Sequence, residues 1–124
     1  MAAEQKVLIV EDSRATRELV SATLSAMGLE VVSAQNGFDA LKLLPRHRFS
    51  LIITDINMPD INGLELINFV KRNPNYRDTP LFVITTEGRE VDRQRGLQLG
   101  ASEYLVKPFQ SELLGALVKR YLAL

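Results

Sequence analysis

The sequence predicts an α/β fold, in which a doubly wound parallel sheet of five strands is covered by five helices. Short β-branched apolar runs alternate along the whole chain with longer segments of helical spacing. Nearly continuous apolar runs are typical of strands buried on both faces, and regular alternation favours a parallel sheet with right-handed crossovers. Five such units in 124 residues, without linkers or repeats, indicate a single domain over 1–124 of the flavodoxin-like type, with strand order 2-1-3-4-5.

The predicted strands and the first two helices are delimited by composition and by capping residues. The strands are placed at residues 7–10, 31–32, 51–54, 81–85 and 104–106. Ser13 can cap the first helix, and Gly28 can end it. This helix is predicted to bury a stripe formed by Ala15, Leu19, Thr23 and Met27, with Val20 and Leu24 beside it. A second, short helix is bracketed by Asn36-Gly37 and Pro45.

The remaining three helices are predicted between the later strands and at the C-terminus. The third begins at Gly63 and is stopped by Asn73-Pro74, since the residue before a proline disfavours helix. The fourth runs from about residue 89 to 99 and ends at Gly100. Its apolar stripe is weak, so we expect this helix to be the most mobile. The fifth is predicted to bury a stripe of Leu113, Leu114, Leu117, Val118 and Tyr121.

Composition excludes several classes of function. Apolar residues make up 46% of the chain, which is enough for a core. Lys and Arg equal Asp and Glu at 15 each, so no net charge attracts nucleic acid or an anionic membrane. The absence of cysteine excludes disulfides and zinc–thiolate sites. There is no long apolar run, and the polar residues 1–6 do not resemble a signal peptide. We therefore expect a cytoplasmic protein that binds neither membrane nor nucleic acid through this chain.

Acidic, hydroxyl and ammonium side chains follow four of the predicted strands. Glu11-Asp12 follows the first strand, Asp55 the third, Thr85-Thr86-Glu87 the fourth and Lys107 the fifth. These side chains should converge, because the carboxyl ends of parallel strands meet at the edge where such folds bind ligands. Each pair of carboxylates at about 4 Å would cost on the order of 4 kcal/mol. A hard divalent cation would relieve this repulsion, and few carboxylates with room for water suit Mg²⁺.

Mg²⁺, a free carboxylate, a hydroxyl and an ammonium are together the groups that phosphoryl transfer uses. Asp55 would be the nucleophile that forms an acyl phosphate. The metal, Thr85 and Lys107 would then stabilise the transferring oxygens. Each residue alone has an ordinary structural explanation, as a helix cap, a turn residue, a strand former or a solvated lysine. Their joint placement at the strand ends is what favours the functional interpretation.

Two segments carry a family resemblance. Asp55-Ile-Asn-Met-Pro59 with Gly63-Leu-Glu-Leu66 after it, and Lys107-Pro108-Phe109, resemble the receiver domain of two-component response regulators. The resemblance covers almost the whole chain and is greatest to the single-domain chemotaxis type, CheY. It implies a CheY-like fold and a phosphoprotein that acts as a switch in signal transduction and phosphorelay. It implies self-phosphotransfer and autodephosphorylation only, rather than an enzyme, and a cis peptide at Lys107-Pro108.

The resemblance assigns the roles in phosphorylation and metal binding residue by residue. It implies that Asp55 is the phosphoacceptor and that Lys107 binds the phosphoryl group. It implies that Mg²⁺ is bound directly by Asp12 and Asp55 and by the backbone carbonyl of Asn57, whose side chain need not be a ligand. Glu11 would reach the metal through water. The family commonly has Asp at that position, and the longer side chain changes the metal geometry there.

The resemblance also implies how the signal leaves the site. Thr85 would move toward the phosphoryl group, and Tyr104 would turn inward and reshape the face of helix 4, strand 5 and helix 5. Without the resemblance, Tyr104 is an edge-strand aromatic residue half packed on a helix. Asn57 and Glu87 resemble the fast-hydrolysing chemotaxis type and indicate a phosphate lifetime of seconds to minutes. Thr86 is larger than the usual residue and can restrict access.

The implied partners are a sensor histidine kinase or phosphotransfer protein as donor and an effector protein on the helix 4/strand 5/helix 5 face. The chain would be a monomer or weak dimer. Two alternatives stay open: a receiver excised from a larger response regulator or hybrid kinase, and a receiver-like interaction module that is never phosphorylated. An aspartyl phosphatase is disfavoured, because Asn57 replaces its second acid and no cap domain fits. A flavin- or nucleotide-binding module is disfavoured, because Glu11-Asp12 places negative charge where phosphate would bind.

Overall fold

The strands of the computed structural model form a five-stranded parallel sheet in the order β2-β1-β3-β4-β5. The structure describes residues 5–58 and 60–124, so Pro59 of the motif above and residues 1–4 of the N-terminal segment lie outside the described residues. The strands are β1 Lys6–Val10, β2 Glu30–Ala34, β3 Leu51–Thr54, β4 Leu81–Thr85 and β5 Glu103–Val106. The predicted fold class and strand order are confirmed.

Five α-helices follow the strands. They are α1 Arg14–Ser25, α2 Gly37–Leu43, α3 Gly63–Arg72, α4 Glu90–Leu99 and α5 Ser111–Leu122, and a 3₁₀ turn at Leu44–Arg46 follows α2. Ser13 caps α1 as predicted, whereas α1 already ends at Ser25 and Gly28 stands in the turn after it with a φ of 85°. Gly100 ends α4 with a φ of 118°. Within the described part of the chain, no helix combines the length and the apolar character that crossing a bilayer requires.

Two apolar layers cover the two faces of the sheet. Successive side chains of a strand point to opposite faces, and β1 illustrates the consequence. Val7 and Ile9 pack with α1 and α5, whereas Leu8 and Val10 pack with α2 and α3. All four are completely buried. Burial on both faces explains why this central strand reads as a continuous apolar run.

The predicted buried stripe of α1 is partly wrong. Val20 and Leu24 are completely buried, but Ala15 and Leu19 are exposed, Leu19 with 47% of its surface. Consecutive residues of an α-helix are separated by about 100° around its axis, so residues next to each other cannot share one buried line. The same geometry leaves Leu113 exposed on α5, while its neighbour Leu114 is buried.

The helices α3 and α4 are anchored to different extents. α3 buries the side chains of Leu66, Ile67 and Val70, whereas Gly96 is the buried residue of α4. At Gly96 the helix lies close to β5, where an added Cβ would be 3.2 Å from the ring of Tyr104. The weak apolar stripe of α4 is therefore confirmed, and its mobility stays a prediction.

Candidate functional site

The pairing of β1 with β3 brings the predicted carboxylates together. Glu11 and Asp55 each follow their strand directly, and the Asp55 N–H donates to the Val10 carbonyl at 3.0 Å. The next residue after Glu11 is Asp12, which is exposed. One carboxylate oxygen from each of Glu11, Asp12 and Asp55 lies within 4.8 Å of the other two. The acidic cluster expected from the sequence is thus present at the carboxyl edge of the sheet.

Lys107 bridges two of these carboxylates. Its Nζ donates to Oε1 of Glu11 at 2.5 Å and to Oδ2 of Asp55 at 3.0 Å. The backbone holds the residue in place, because the Lys107 N–H donates to the Thr85 carbonyl at 2.7 Å and so continues the pairing of β4 with β5. The Lys107-Pro108 peptide is cis, as the resemblance implied. Only 17% of the lysine side chain is exposed, so these charge-assisted bonds lie largely out of water.

Glu11 is the most deeply buried charged group of the site. None of its surface is exposed, and its Oε2 has no hydrogen-bond partner among the described residues. Burial raises the pKa of Glu11 to about 7; the hydrogen bond from Lys107 opposes this rise, and Asp55 adds to it. Burial also acts to lower the pKa of Lys107, but the hydrogen bonds to Glu11 and Asp55 raise it above its ordinary value.

The residues of the cluster fit a hard divalent cation. A buried carboxylate oxygen without a partner costs free energy, and two further carboxylates beside it add repulsion. A cation bound by oxygen ligands would relieve both costs, and an exposed ligand such as Asp12 leaves room for the waters that Mg²⁺ keeps. The orphaned oxygen of Glu11 is the observation that favours such an ion here.

The loop after β3 holds Asp55 in one orientation. Its side chain is 7% exposed, and its Oδ1 accepts a hydrogen bond from the Asn57 N–H at 3.0 Å. Gly63 allows α3 to begin directly against this loop. A Cβ on Gly63 would lie 2.3 Å from the Asp55 carbonyl oxygen and 2.4 Å from the Cα of Ile56, which no other residue could accept without moving the backbone.

A chain of hydrogen bonds joins this loop to β4 and β5. The Oγ1 of buried Thr85 accepts from Nδ2 of Asn57 at 3.4 Å and from the Glu87 N–H at 3.2 Å. Asn57 Nδ2 also donates to Oε1 of Glu87 at 3.3 Å, and the Tyr104 hydroxyl donates to the Glu87 carbonyl at 2.6 Å. Thr86 lies between these groups in sequence but is exposed. The predicted site residues of β4 and β5 are therefore connected to the loop that follows Asp55.

An open, mainly apolar cavity of about 360 Å³ borders the lysine side of the site. Its walls come from α1, from the end of β4 and from the segment after β5, with Leu19, Thr86 and Phe109 among them. Thr86 therefore lines a cavity next to Lys107, and its predicted effect on access to Asp55 stays a prediction.

Two residues of this region were missed by sequence reasoning. Arg17 donates through Nη1 to the Glu11 carbonyl at 2.9 Å. The carboxylate of Asp60 accepts from the N–H groups of Gly37 and Phe38. No local pattern signals a contact of Asp60 with residues more than 20 positions away.

Fold and site together define a class of protein, the small doubly wound α/β domains with an acidic site at the carboxyl edge of the sheet. The model of the response regulator receiver domain family matches residues 7–119. A chemotaxis protein CheY homolog of Campylobacter jejuni is 38% identical over 111 residues, which are 88% of this chain and 85% of that protein. The chain therefore belongs to the response regulator receiver domain family, and the resemblance inferred from the sequence is confirmed.

Solved structures agree with this assignment. The chemotaxis protein CheY4 of Vibrio cholerae has a TM-score of 0.90 at 40% identity, covering 96% of this chain and 99% of that chain. The receiver domain of a sensor histidine kinase from Pseudomonas aeruginosa PAO1, with a magnesium ion coordinated in its active site cleft, has a TM-score of 0.88 at 28% identity. That match covers 98% of this chain and all of the other. The chain is a CheY-like receiver, the switch module of two-component signalling.

Proposed function

We propose that this receiver is switched by reversible phosphorylation of Asp55 at a Mg²⁺ site. The observation that carries the proposal is the position of the Asp55 carboxylate, 3.0 Å from the ammonium of Lys107 and inside the cluster of Glu11 and Asp12. A carboxylate is a nucleophile when the charge of the incoming phosphoryl oxygens is neutralised nearby. Lys107 and a bound cation would supply that neutralisation at this place.

Asp12, Asp55 and the backbone carbonyl of Asn57 would hold the Mg²⁺, and Glu11 would reach it through water. When bound, the ion supplies positive charge that offsets the charge of the phosphoryl oxygens. The orphaned Oε2 of Glu11 supports this assignment, because a metal-bound water could donate to it. The comparison structure with magnesium in its cleft supports the choice of metal.

The side chains of this chain perform the transfer by position and charge. An Asp55 carboxylate oxygen forms a bond to phosphorus as the bond from phosphorus to the donor nitrogen or oxygen breaks, and the donor leaves with that electron pair. Lys107 donates to the transferred oxygens. Thr85 can donate as well, because in the described contacts its hydroxyl oxygen only accepts hydrogen bonds.

Transmission of the signal would begin at the hydrogen bonds around Glu87. A Thr85 hydroxyl that turns toward a phosphoryl group gives up its bonds from Asn57 and from the Glu87 N–H. The Glu87 carbonyl holds the Tyr104 hydroxyl, so a shift of Glu87 reaches β5 and the helix α4 that packs on it. We propose that an effector protein reads the α4/β5/α5 face and that a sensor histidine kinase or phosphotransfer protein is the donor.

We propose that residues 1–124 form one receiver domain that works in the cytoplasm. Its own chemistry is self-phosphotransfer and autodephosphorylation. The family match over residues 7–119 supports the domain extent. A receiver of a larger protein is an equally coherent setting, as the histidine kinase receiver among its structural neighbours illustrates. Asn57 and Glu87, hydrogen-bonded to each other at the rim, would set a phosphate lifetime of seconds to minutes.

The test is incubation with a small phosphodonor and Mg²⁺, followed by intact mass measurement. Wild type should gain one phosphoryl group, and Asp55→Asn should gain none. Asp78→Asn is the matched control, because Asp78 is an exposed aspartate outside the acidic cluster and should leave labelling unchanged. An unlabelled wild type would overturn the proposal in favour of an interaction module that is never phosphorylated. Equal labelling of Asp55→Asn would overturn it too, since another residue would then be the acceptor. Decay over hours would contradict the predicted lifetime alone.

A further inference from the structure

The loop between β3 and α3 is fastened to the start of α2 by one carboxylate. Asp60 accepts through Oδ1 from the Gly37 N–H at 3.2 Å and through Oδ2 from the Phe38 N–H at 2.9 Å. These first N–H groups of the helix have no acceptor within the helix itself. α2 also has a local cap, since Oδ1 of Asn36 accepts from the Asp39 N–H at 2.9 Å. Asp60 is therefore a second cap that comes from a distant part of the chain.

Close packing reinforces the connection. Gly37 is buried, and a Cβ at this position would lie 2.7 Å from the Cβ of Ile61, so the loop rests directly on the first residue of α2. The two ends of the loop are joined by the Gly63 N–H, which donates to the Ile56 carbonyl at 3.0 Å. Ile56 and Asp60, on either side of Asn57, thus each take part in a hydrogen bond that holds the backbone.

The charge of Asp60 suits this role. Burial acts to raise the pKa of Asp60, but the N–H groups of Phe38, Ile61 and Gly37 hold it below its ordinary value. The side chain is then a carboxylate at neutral pH, and a negative charge at a helix N-terminus is favourable. A neutral, shorter side chain at this position would lose both the hydrogen bonds and the charge.

We infer that Asp60 is a positioning residue for the Mg²⁺ site, because its cap on α2 sets the course of the loop that presents the Asn57 carbonyl. The inference rests on the proposed function, in which that carbonyl is a metal ligand. Asp60 is not part of the carboxylate cluster, and its hydrogen bonds described above go to the backbone of α2. Asp60 acts through the backbone of the loop and thereby couples α2 to the site at Asp55. A movement of the first turn of α2 would then change the affinity for Mg²⁺.

The test compares two variants that each remove one cap from the same helix end. Asp60→Ala removes the cap from the loop, and Asn36→Ala removes the local cap. Both should lower the melting temperature. Asp60→Ala alone should weaken Mg²⁺ binding, measured by calorimetry on the purified protein, by about three- to tenfold, less than for a group bonded directly to a ligand. Its labelling rate with a small phosphodonor should recover at saturating Mg²⁺.

Asp60→Asn keeps one side-chain oxygen acceptor and should recover part of the lost affinity, which also covers the case of an Asp60→Ala variant that does not fold. Wild-type Mg²⁺ affinity in Asp60→Ala overturns the inference. An equal loss in Asn36→Ala overturns it too, since fraying of α2 would then be the cause. These outcomes differ from failure of the proposed function, in which wild type itself binds no Mg²⁺ or accepts no phosphoryl group.

Discussion

The helices α3 and α4 each contain ten residues and pack on the same face of the sheet, yet they are held very differently. α3 begins in backbone contact with the Asp55 carbonyl and buries three large apolar side chains. α4 begins after Glu87, and its first turn carries the ion pairs Arg89–Asp92 and Arg93–Glu90. Exposed pairs of this kind contribute little to stability.

The difference separates a fixed part of the site from a part that can respond. In the proposed function, Asp55 must keep its position, because phosphoryl transfer depends on alignment. The α4 side needs the opposite property, because a small change in hydrogen bonding can shift a population only where the competing arrangements are close in free energy. Strong anchoring of α3 next to Asp55 and weak anchoring of α4 would meet these two requirements.

The largest expected effect tests the anchoring directly. Leu66→Ala should lower the free energy of unfolding by about 3 kcal/mol, because Leu66 is only 1% exposed and its truncation leaves a cavity in the core. Leu97→Ala on α4 should cost about 1 kcal/mol or less, since Leu97 is only partly buried. Urea unfolding measures both. Equal losses would show that α4 is as firmly packed as α3 and would contradict the difference in anchoring between the two helices.

The next effect concerns the charge buried on the fixed side. Glu11 has a folded-state pKa of about 7 against an ordinary value of 4.5, so between these values the folded protein binds more protons than the unfolded one. In chelator, the stability that this group contributes is therefore present below about pH 4.5 and is lost as the pH rises through about 7. Relative to Glu11→Gln, wild type should lose about 3 kcal/mol across this range.

Urea unfolding of wild type and Glu11→Gln at both ends of that range measures this loss. Added Mg²⁺ should reduce it, because the cation favours the carboxylate form. A difference between the two proteins that does not change with pH would contradict the raised pKa of Glu11.

The smallest effect lies on the responding side. Tyr104→Phe removes the hydrogen bond to the Glu87 carbonyl and should cost about 1 kcal/mol. Amide exchange in the segment 87–90 should rise by about fivefold, the equivalent of that free energy. Tyr121→Phe is the matched control, because it removes a bond of the same length, to Glu103, on the α5 side. If the control raises exchange in this segment equally, Tyr104 has no special connection to the loop.

The sequence predicted the fold and the composition of the site because both follow from where strands end. Parallel strands place their carboxyl ends on one edge, so Glu11, Asp55 and Lys107 converge whatever the details of packing. The depth of burial was not predictable in this way. Glu11 is completely enclosed while the adjacent Asp12 is exposed, a difference set by the neighbouring elements and not by local sequence.

The features that the sequence predicted wrongly or did not predict depend on how the helices are rotated and on contacts between distant segments. Leu19 is as apolar as Leu24, but only the packing of α1 against β2 and α5 decides which of them is buried. The hydrogen bonds that the Asn57 side chain donates to Thr85 and Glu87 were not predicted either. Such contacts join separate strand ends and leave no periodic signal in the chain.

Lys107 donates hydrogen bonds to two carboxylates at once. Its ammonium has only three N–H donors, so any further acceptor competes with these carboxylates. An anion that draws the ammonium away from Glu11 leaves a fully enclosed carboxylate without a partner. A cation at the cluster removes that penalty, so anion and cation each bind more tightly in the presence of the other. Thermodynamic reciprocity then requires the two enhancements to be equal in magnitude. The site at Asp55 would thus be fully occupied only when the anion and the cation are both present.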